Sequence, residues 1–290
     1  MEKLLNSQFS ILNSQFGTKH VPSFDDPPPI APQGAMGLIG GNMAYEALAT
    51  AYDRLTNDVP YAEIFAFYRR VWAAYDFTPT SAVDLACGTG SMTLLLAQAG
   101  LSVLGVDQSE EMLTLAAEKA AALDDPPYFI HQRMEKLRLP APVDLVVCCL
   151  DGVNYVTDPA ALRESFARVF KALNPGGLFL FDVNSEAKLR GLDGQILLDE
   201  DDEVFCLWRA EFDEQARVCT YGMDVFQKQG KLWTRDREEH LEYAYRIEEL
   251  SQWLTEAGFV RVNAYGDRRL EAPAPDEQRI FIAAQRPEGN

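Results

Sequence analysis

Long apolar runs are missing from this 290-residue chain, and nothing approaches the roughly 18 residues needed to cross a bilayer as a helix. No basic region followed by an apolar core opens it, so no secretory signal is read. Basic residues are scarce too: 26 Lys and Arg stand against 44 Asp and Glu, a formal charge of −18 at pH 7. Lys3 and Lys19 against Glu2, Asp25 and Asp26 leave residues 1–42 at −1, so residues 43–290 carry −17. Phosphate-backbone binding needs clustered Lys and Arg, and this balance argues against a nucleic-acid binder. The five cysteines (Cys87, Cys148, Cys149, Cys206, Cys219) form no CxxC pair and no metal-ligand spacing. That excludes a zinc module and, with an odd count and no signal, reads as reduced thiols in a cytoplasm.

What is present divides into two unlike parts. Residues 1–42 repeat "LNSQF" at Leu5–Phe9 and Leu12–Phe16 and continue into "DDPPPIAPQG". Repetitive, proline-rich and without amphipathic period, this segment cannot bury enough surface to fold. It is expected to be a disordered extension, or an over-long gene start whose true initiator is Met36 or Met43. From Met43 the pattern turns helical ("YEALATAYDRL", "YAEIFAFYRRVWAAY"), and after Pro79 the chain alternates. Aliphatic runs at Ala82–Leu85, Ser102–Val106, Tyr128–His131, Asp144–Leu150 and Leu178–Val183 are separated by helix-length segments. That rhythm predicts an α/β domain, a parallel sheet with helices on both faces. "LNPGG" at Leu173–Gly177 reads as a helix stop and a tight turn into the next strand. Past Asn184 three strand-like runs separated by polar turns predict an antiparallel insert, residues 195–245. A helix and the final strand "QRIFIAAQ" then return to the main sheet.

The stretch "VDLACGTGSMTLLLAQAG" carries the chemistry. A turn between a first strand and a helix points backbone N–H groups at a ligand, and Gly88 and Gly90 allow close approach. Dinucleotide sites share this device, but their G-x-G-x-x-G fingerprint fails at Thr93. Asp84, four residues ahead of Gly88, would repel a pyrophosphate and suit a cationic amino-acid end. The second strand ends in "VLGVDQSEEML", which places Asp107 where a ribose diol would lie. The ligand should therefore carry ribose and a cation and lack phosphate, as S-adenosylmethionine (SAM) does.

In order and spacing, "VDLACGTG", "VLGVDQSEEML", "VDLVVCCLDGVNYV" and "LNPGGLFLFDVNS" resemble the motifs of class I SAM-dependent methyltransferases. "AYEALATAYDRL", "CCLDGVNY" and the insert with "EEH" are similar to the YqeM-type branch, and the insert is similar to the cap of small-molecule N-methyltransferases. The resemblance spans residues 43–290 and implies a Rossmann-like, seven-stranded, mostly parallel sheet with an antiparallel β cap after the fifth strand. Carried over, it implies that Asp84 faces the methionyl amine and that Ala86, Gly88 and Gly90 form the turn. Asp107 takes the ribose hydroxyls, Gln108 and the backbone of Met134 border the adenine, and Tyr45 and Tyr52 fold over the methionyl portion. Asp151 and Asn154 border the transferable methyl group, Asp151 lying against cofactor and acceptor alike. His240 on the cap is a candidate general base. Ala86 replaces the usual first glycine of the turn. Arg133 stands where the family has an aspartate that accepts from the adenine amino group, and a guanidinium offers no acceptor. The substitute acceptor is either the backbone of Met134 or the Glu135 carboxylate.

The expected function is methyl transfer from SAM to a small-molecule nitrogen or oxygen nucleophile, by a monomer or homodimer without metal or membrane. The alternatives are an RNA-modifying methyltransferase helped by a partner, and a non-catalytic SAM-binding protein. Cys148–Cys149 raises covalent catalysis on a pyrimidine, yet small core residues at the end of a buried strand explain the pair as well.

Overall fold

The structure, a computed structural model, describes residues 59–200 and 202–289. The N-terminal extension, 1–42, and the two tyrosines Tyr45 and Tyr52 lie outside the described residues. Helix α1 (Tyr61–Ala74) is followed by β1 (Ser81–Leu85), α2 (Ser91–Gln98), β2 (Ser102–Asp107), α3 (Glu110–Ala120), β3 (Tyr128–His131), β4 (Val143–Cys148), α4 (Pro159–Ala172) and β5 (Leu173–Asn184). After α5 (Glu186–Gly191) come β6 (Ile196–Glu200), β7 (Val204–Asp213), β8 (Val218–Gln229) and β9 (Leu232–Tyr243), and then α6 (Ile247–Glu256), β10 (Val260–Tyr265) and β11 (Arg279–Gln285).

The main sheet runs β10-β11-β5-β4-β1-β2-β3. Strands β1 to β5 pair in parallel, β11 runs antiparallel to β5, and β10 antiparallel to β11, so β11 alone is reversed. The central strands β1, β4, β5 and β11 are mostly apolar because both faces are covered. On one face Phe166 of α4 packs against Phe179 and Phe181 of β5, and Leu250 and Leu254 of α6 join the same core. On the other, Phe67 of α1 meets Phe281 of β11 edge-on, with centroids 4.9 Å apart.

Local chemistry fixes the helix starts. The Ser109 hydroxyl accepts from the Met112 amide ahead of α3, with Glu110 and Glu111 complementing the helix dipole. Asp158 and Pro159 open α4, the carboxylate accepting from the Ala160 amide. The "LNPGG" segment differs from expectation. Helix α4 stops at Ala172, but Leu173 already pairs with Val143, and the register then shifts before Leu178 pairs with Leu145. The turn is thus a bulge inside β5, with Gly176 at φ +80°. The end of the chain adds β10, a strand that the periodicity leaves unmarked.

Strands β6 to β9 form a separate four-stranded sheet in that order. Among the described residues the chain divides into two compact units. One holds 61–193, 212–219 and 241–289, and the other holds 59–60, 194–200, 202–211 and 220–240. The smaller has its own core of Val204, Cys206, Met223 and Val225, with Trp208 packed against it.

Candidate functional site

The carboxyl ends of β1 and β4 neighbour each other in the centre of the main sheet, and a crevice there is the ligand position of open α/β sheets. At the end of β1, Asp84 is 1% exposed. Its Oδ2 accepts from the Thr93 hydroxyl at 2.5 Å, and its Oδ1 is buried without a partner. Burial raises its pKa to about 7, and the nearby Asp107 adds to the rise, while the Thr93 hydroxyl opposes it. A buried carboxylate with one oxygen unsatisfied lacks a cation or donor. Thr93, the residue that breaks the dinucleotide fingerprint, is therefore the partner of Asp84. The sequence signal was its position, one turn into α2.

The turn after Asp84 carries left-handed backbone at Ala86 (φ +57°), Gly88 (φ +53°) and Gly90 (φ +81°). Ala86 adopts that conformation despite its side chain, so replacing the family's glycine costs strain rather than the turn. A Cβ on Gly88 would meet nothing within 4 Å, which leaves the open side of the turn clear for a ligand. Gly90 is packed more tightly: its Cβ would stand 3.0 Å from that of Ala116.

Asp107 ends β2 beside this turn. Its Oδ2 accepts from the Gly88 amide at 2.8 Å and its Oδ1 from the Ser109 amide at 2.9 Å. The carboxylate is thereby aimed, and each oxygen keeps a lone pair for a hydroxyl. Burial raises its pKa, against the pull of the two amides. Phe129 of β3 presses on Gly105 of β2, where a Cβ would come within 2.5 Å of the ring. Next along the edge, Gln108 is exposed and its carbonyl accepts from His131 Nε2 at 2.8 Å. The Met134 side chain is buried, so its backbone is what it offers. Arg133 does not stand alone, because its Nε donates to Glu135 Oε1 at 2.6 Å. Although partial burial pushes the other way, the Glu135 backbone amide and Arg133 hold that carboxyl below the usual range, so it remains an acceptor.

Asp151 follows β4, and Arg279 donates to its Oδ1 at 2.6 Å. Asn154 is fully buried. Its amide donates to the Asn184 and Tyr243 carbonyls at 3.1 and 3.0 Å and accepts from the Asn184 amide at 3.0 Å, which uses both of its hydrogens. His240 lies on β9 in the smaller unit, buried, with Nε2 3.1 Å from Glu238 Oε2. Asp84, Ala86, Gly88, Gly90, Asp107, Gln108, Met134, Asp151 and Asn154 all fall in the larger unit. Cys148 and Cys149 are buried and burial pushes both thiols up, so neither is an activated nucleophile. Among the described residues no group of His, Cys, Asp and Glu is arranged to hold a metal, and no helix is long and apolar enough to cross a membrane.

Comparison with known proteins identifies the family. A family model described as "Methyltransferase domain" matches residues 82–177. "Putative methyltransferase GWCH70_2453" of Geobacillus sp. (strain WCH70) is 32% identical over 248 residues, 84% of this chain and 100% of that protein. "Putative methyltransferase YqeM" of Bacillus subtilis (strain 168) is 30% identical over 247 residues, 84% of this chain and 98% of its own length. Among solved structures, a SAM-dependent methyltransferase from Clostridium acetobutylicum ATCC 824 superposes with a TM-score of 0.76 at 29% identity, covering 84% of this chain and 99% of that one. The sugar N-methyltransferase KedS8 from Streptoalloteichus sp ATCC 53650 shares the fold, with a TM-score of 0.72 at 20% identity over 90% of this chain and 100% of that one.

Proposed function

The chain belongs to the SAM-dependent methyltransferases, and from that premise we propose that it methylates a small-molecule nitrogen or oxygen nucleophile. SAM, when bound, supplies a methyl group already activated by its positive sulfur. The residues present fit it. The observation that carries the site is the buried, unsatisfied Oδ1 of Asp84 at the mouth of a left-handed turn. A cationic amine is the complement of that oxygen. Asp107 holds the ribose hydroxyls, since it is oriented by two backbone amides and keeps acceptor capacity on both oxygens. Gln108, the Met134 backbone and the Glu135 carboxylate border the adenine, Glu135 taking the place of the family's aspartate.

Asp151 stands toward the methyl group and the acceptor, and His240 is the general base, worth about two to four powers of ten in rate. In place of a catalytic role, we assign Asn154 a positioning one: it ties the segment after β4 to the end of β5. Residues 43–290 form the methyltransferase domain, with 195–245 as its antiparallel insert. Support for a small acceptor comes from the −17 carried by residues 43–290, unsuited to a nucleic-acid backbone, and from the fold shared with a sugar N-methyltransferase.

Calorimetric titration with SAM tests the cofactor site. Micromolar binding is expected for the wild type and a loss of about a hundredfold for Asp107→Ala, which removes two charged hydrogen bonds to the ribose. Labelled methyl transfer onto separate metabolite and RNA pools then tests the acceptor class. Label confined to RNA would sink the small-molecule reading.

A further inference from the structure

One buried polar network borders the cofactor turn and has no part in holding the turn, ribose or adenine. Asp182, fully buried on β5, accepts from the backbone amides of Leu150 at 2.8 Å and Asp151 at 3.1 Å. Both of those residues are left-handed, at φ +58° and +54°, a conformation that L side chains rarely hold unless the surroundings enforce it. Arg279, at the start of β11, supplies the enforcement: it ion-pairs with Asp182, donates to Asp151 Oδ1, and reaches Asn184 Oδ1 at 3.3 Å. Asn184 Oδ1 also accepts from Lys188 Nζ at 3.0 Å, and its amide donates to Glu242 Oε2 at 2.7 Å.

The Asp151 and Glu242 carboxylates both act on Lys188, and Asp151 and Asp182 share Arg279. Of the two carboxylates that Arg279 bridges, Asp182 is sealed, whereas the side chain of Asp151 is 15% exposed. The segment that carries Asp151 runs beside the cofactor turn: a Cβ on the next residue, Gly152, would stand 3.0 Å from the Cβ of Ala86. A partly exposed carboxylate on that segment is complementary to a cation on the ligand's reacting end.

We infer that Asp151, aimed by Arg279 and Asp182, is the group that distinguishes the sulfonium of SAM from the uncharged thioether of the demethylated product, S-adenosylhomocysteine. The inference rests on the cofactor site proposed above and adds what that site does not supply. Asp84, the turn and Asp107 meet parts that donor and product share, so they bind both alike. Asp151 meets the one atom whose charge changes, so it favours the donor and lets the product go. Arg279 is a positioning residue. It sets the orientation of Asp151 from a strand 128 residues away and takes no part in the transfer itself.

The test is titration of the full chain with SAM and, separately, with S-adenosylhomocysteine, for the wild type, Asp151→Asn and Arg279→Lys. Asp151→Asn is expected to weaken SAM about tenfold, as loss of one partly screened charge pair implies, and to leave the product within about twofold. Arg279→Lys keeps the charge but cannot span three acceptors at once, so it should lower the donor-to-product ratio part of the way while product affinity holds. A merely structural role predicts that both ligands weaken together in either variant, and that result, or an unchanged ratio, overturns the inference. Should Asp151→Asn fail to fold, Arg279→Lys decides alone. A wild type that binds neither ligand overturns the cofactor site itself and this inference with it, which separates the two failures.

Discussion

Replacing Asp84 with asparagine should make the protein more stable at pH 8 and poorer at holding its cofactor. In the folded chain the carboxyl titrates at about 7, against an ordinary value of 3.8. At about 1.4 kcal/mol per pH decade, its ionised form is disfavoured by about 4 kcal/mol relative to the unfolded chain. The sign follows from the raised value. Stability is complete below about pH 4, where both states are protonated, and falls as the pH rises to about 7, where the folded chain must ionise a desolvated group. Asparagine keeps an oxygen for the Thr93 hydroxyl and carries no charge to desolvate. Its amide hydrogens face the place where Oδ1 has no partner, which returns roughly 1–3 kcal/mol of the gain. The net expectation is a variant about 1–3 kcal/mol more stable than wild type at pH 8, with no advantage at pH 4. Urea denaturation of both proteins across that range measures the difference. SAM affinity of the wild type should rise with pH up to about 7, because the amine wants the carboxylate form, and in Asp84→Asn it should be low and flat. A variant-minus-wild-type stability that does not change between pH 5 and 8, or undiminished SAM binding by Asp84→Asn, would refute the reasoning.

Gly105→Ala should cost about 1–3 kcal/mol in chemical denaturation, since the new methyl collides with the Phe129 ring and Cys87 Sγ. His240→Gln retains a donor for the buried Glu238 and removes the imidazole. Once an acceptor is in hand, turnover should fall by about 10²–10⁴ while SAM binding by calorimetry stays within about twofold, and equal loss of both would mean a folding role. A chain that starts at Met43 should bind SAM as the full chain does in the same calorimetric assay, because residues 1–42 lack the pattern of a packed segment.

Where the signal was local, the sequence carried it. The central strands of the main sheet are apolar runs because both faces are covered, and the turn from β1 to α2 is written in Gly88 and Gly90, whose left-handed angles need little or no side chain. Asp84 and Asp107 were legible as well, because a strand end followed by a glycine turn fixes where an acid must point. Other features depended on residues far apart in the chain. Asn154 reads as a site residue from its motif, yet its amide is consumed by the backbone of β5 and by Tyr243, 89 residues away. Thr93 looked like a missing glycine until its hydroxyl was placed on the buried oxygen of Asp84. Arg279 has no motif at all. Only the antiparallel register of β11 on β5, which sets Arg279 opposite Asn184, brings it to Asp151 and Asp182. Spacing along a chain encodes periodicity and turn chemistry, whereas the partner of a buried charge is chosen by the sheet order that folding creates.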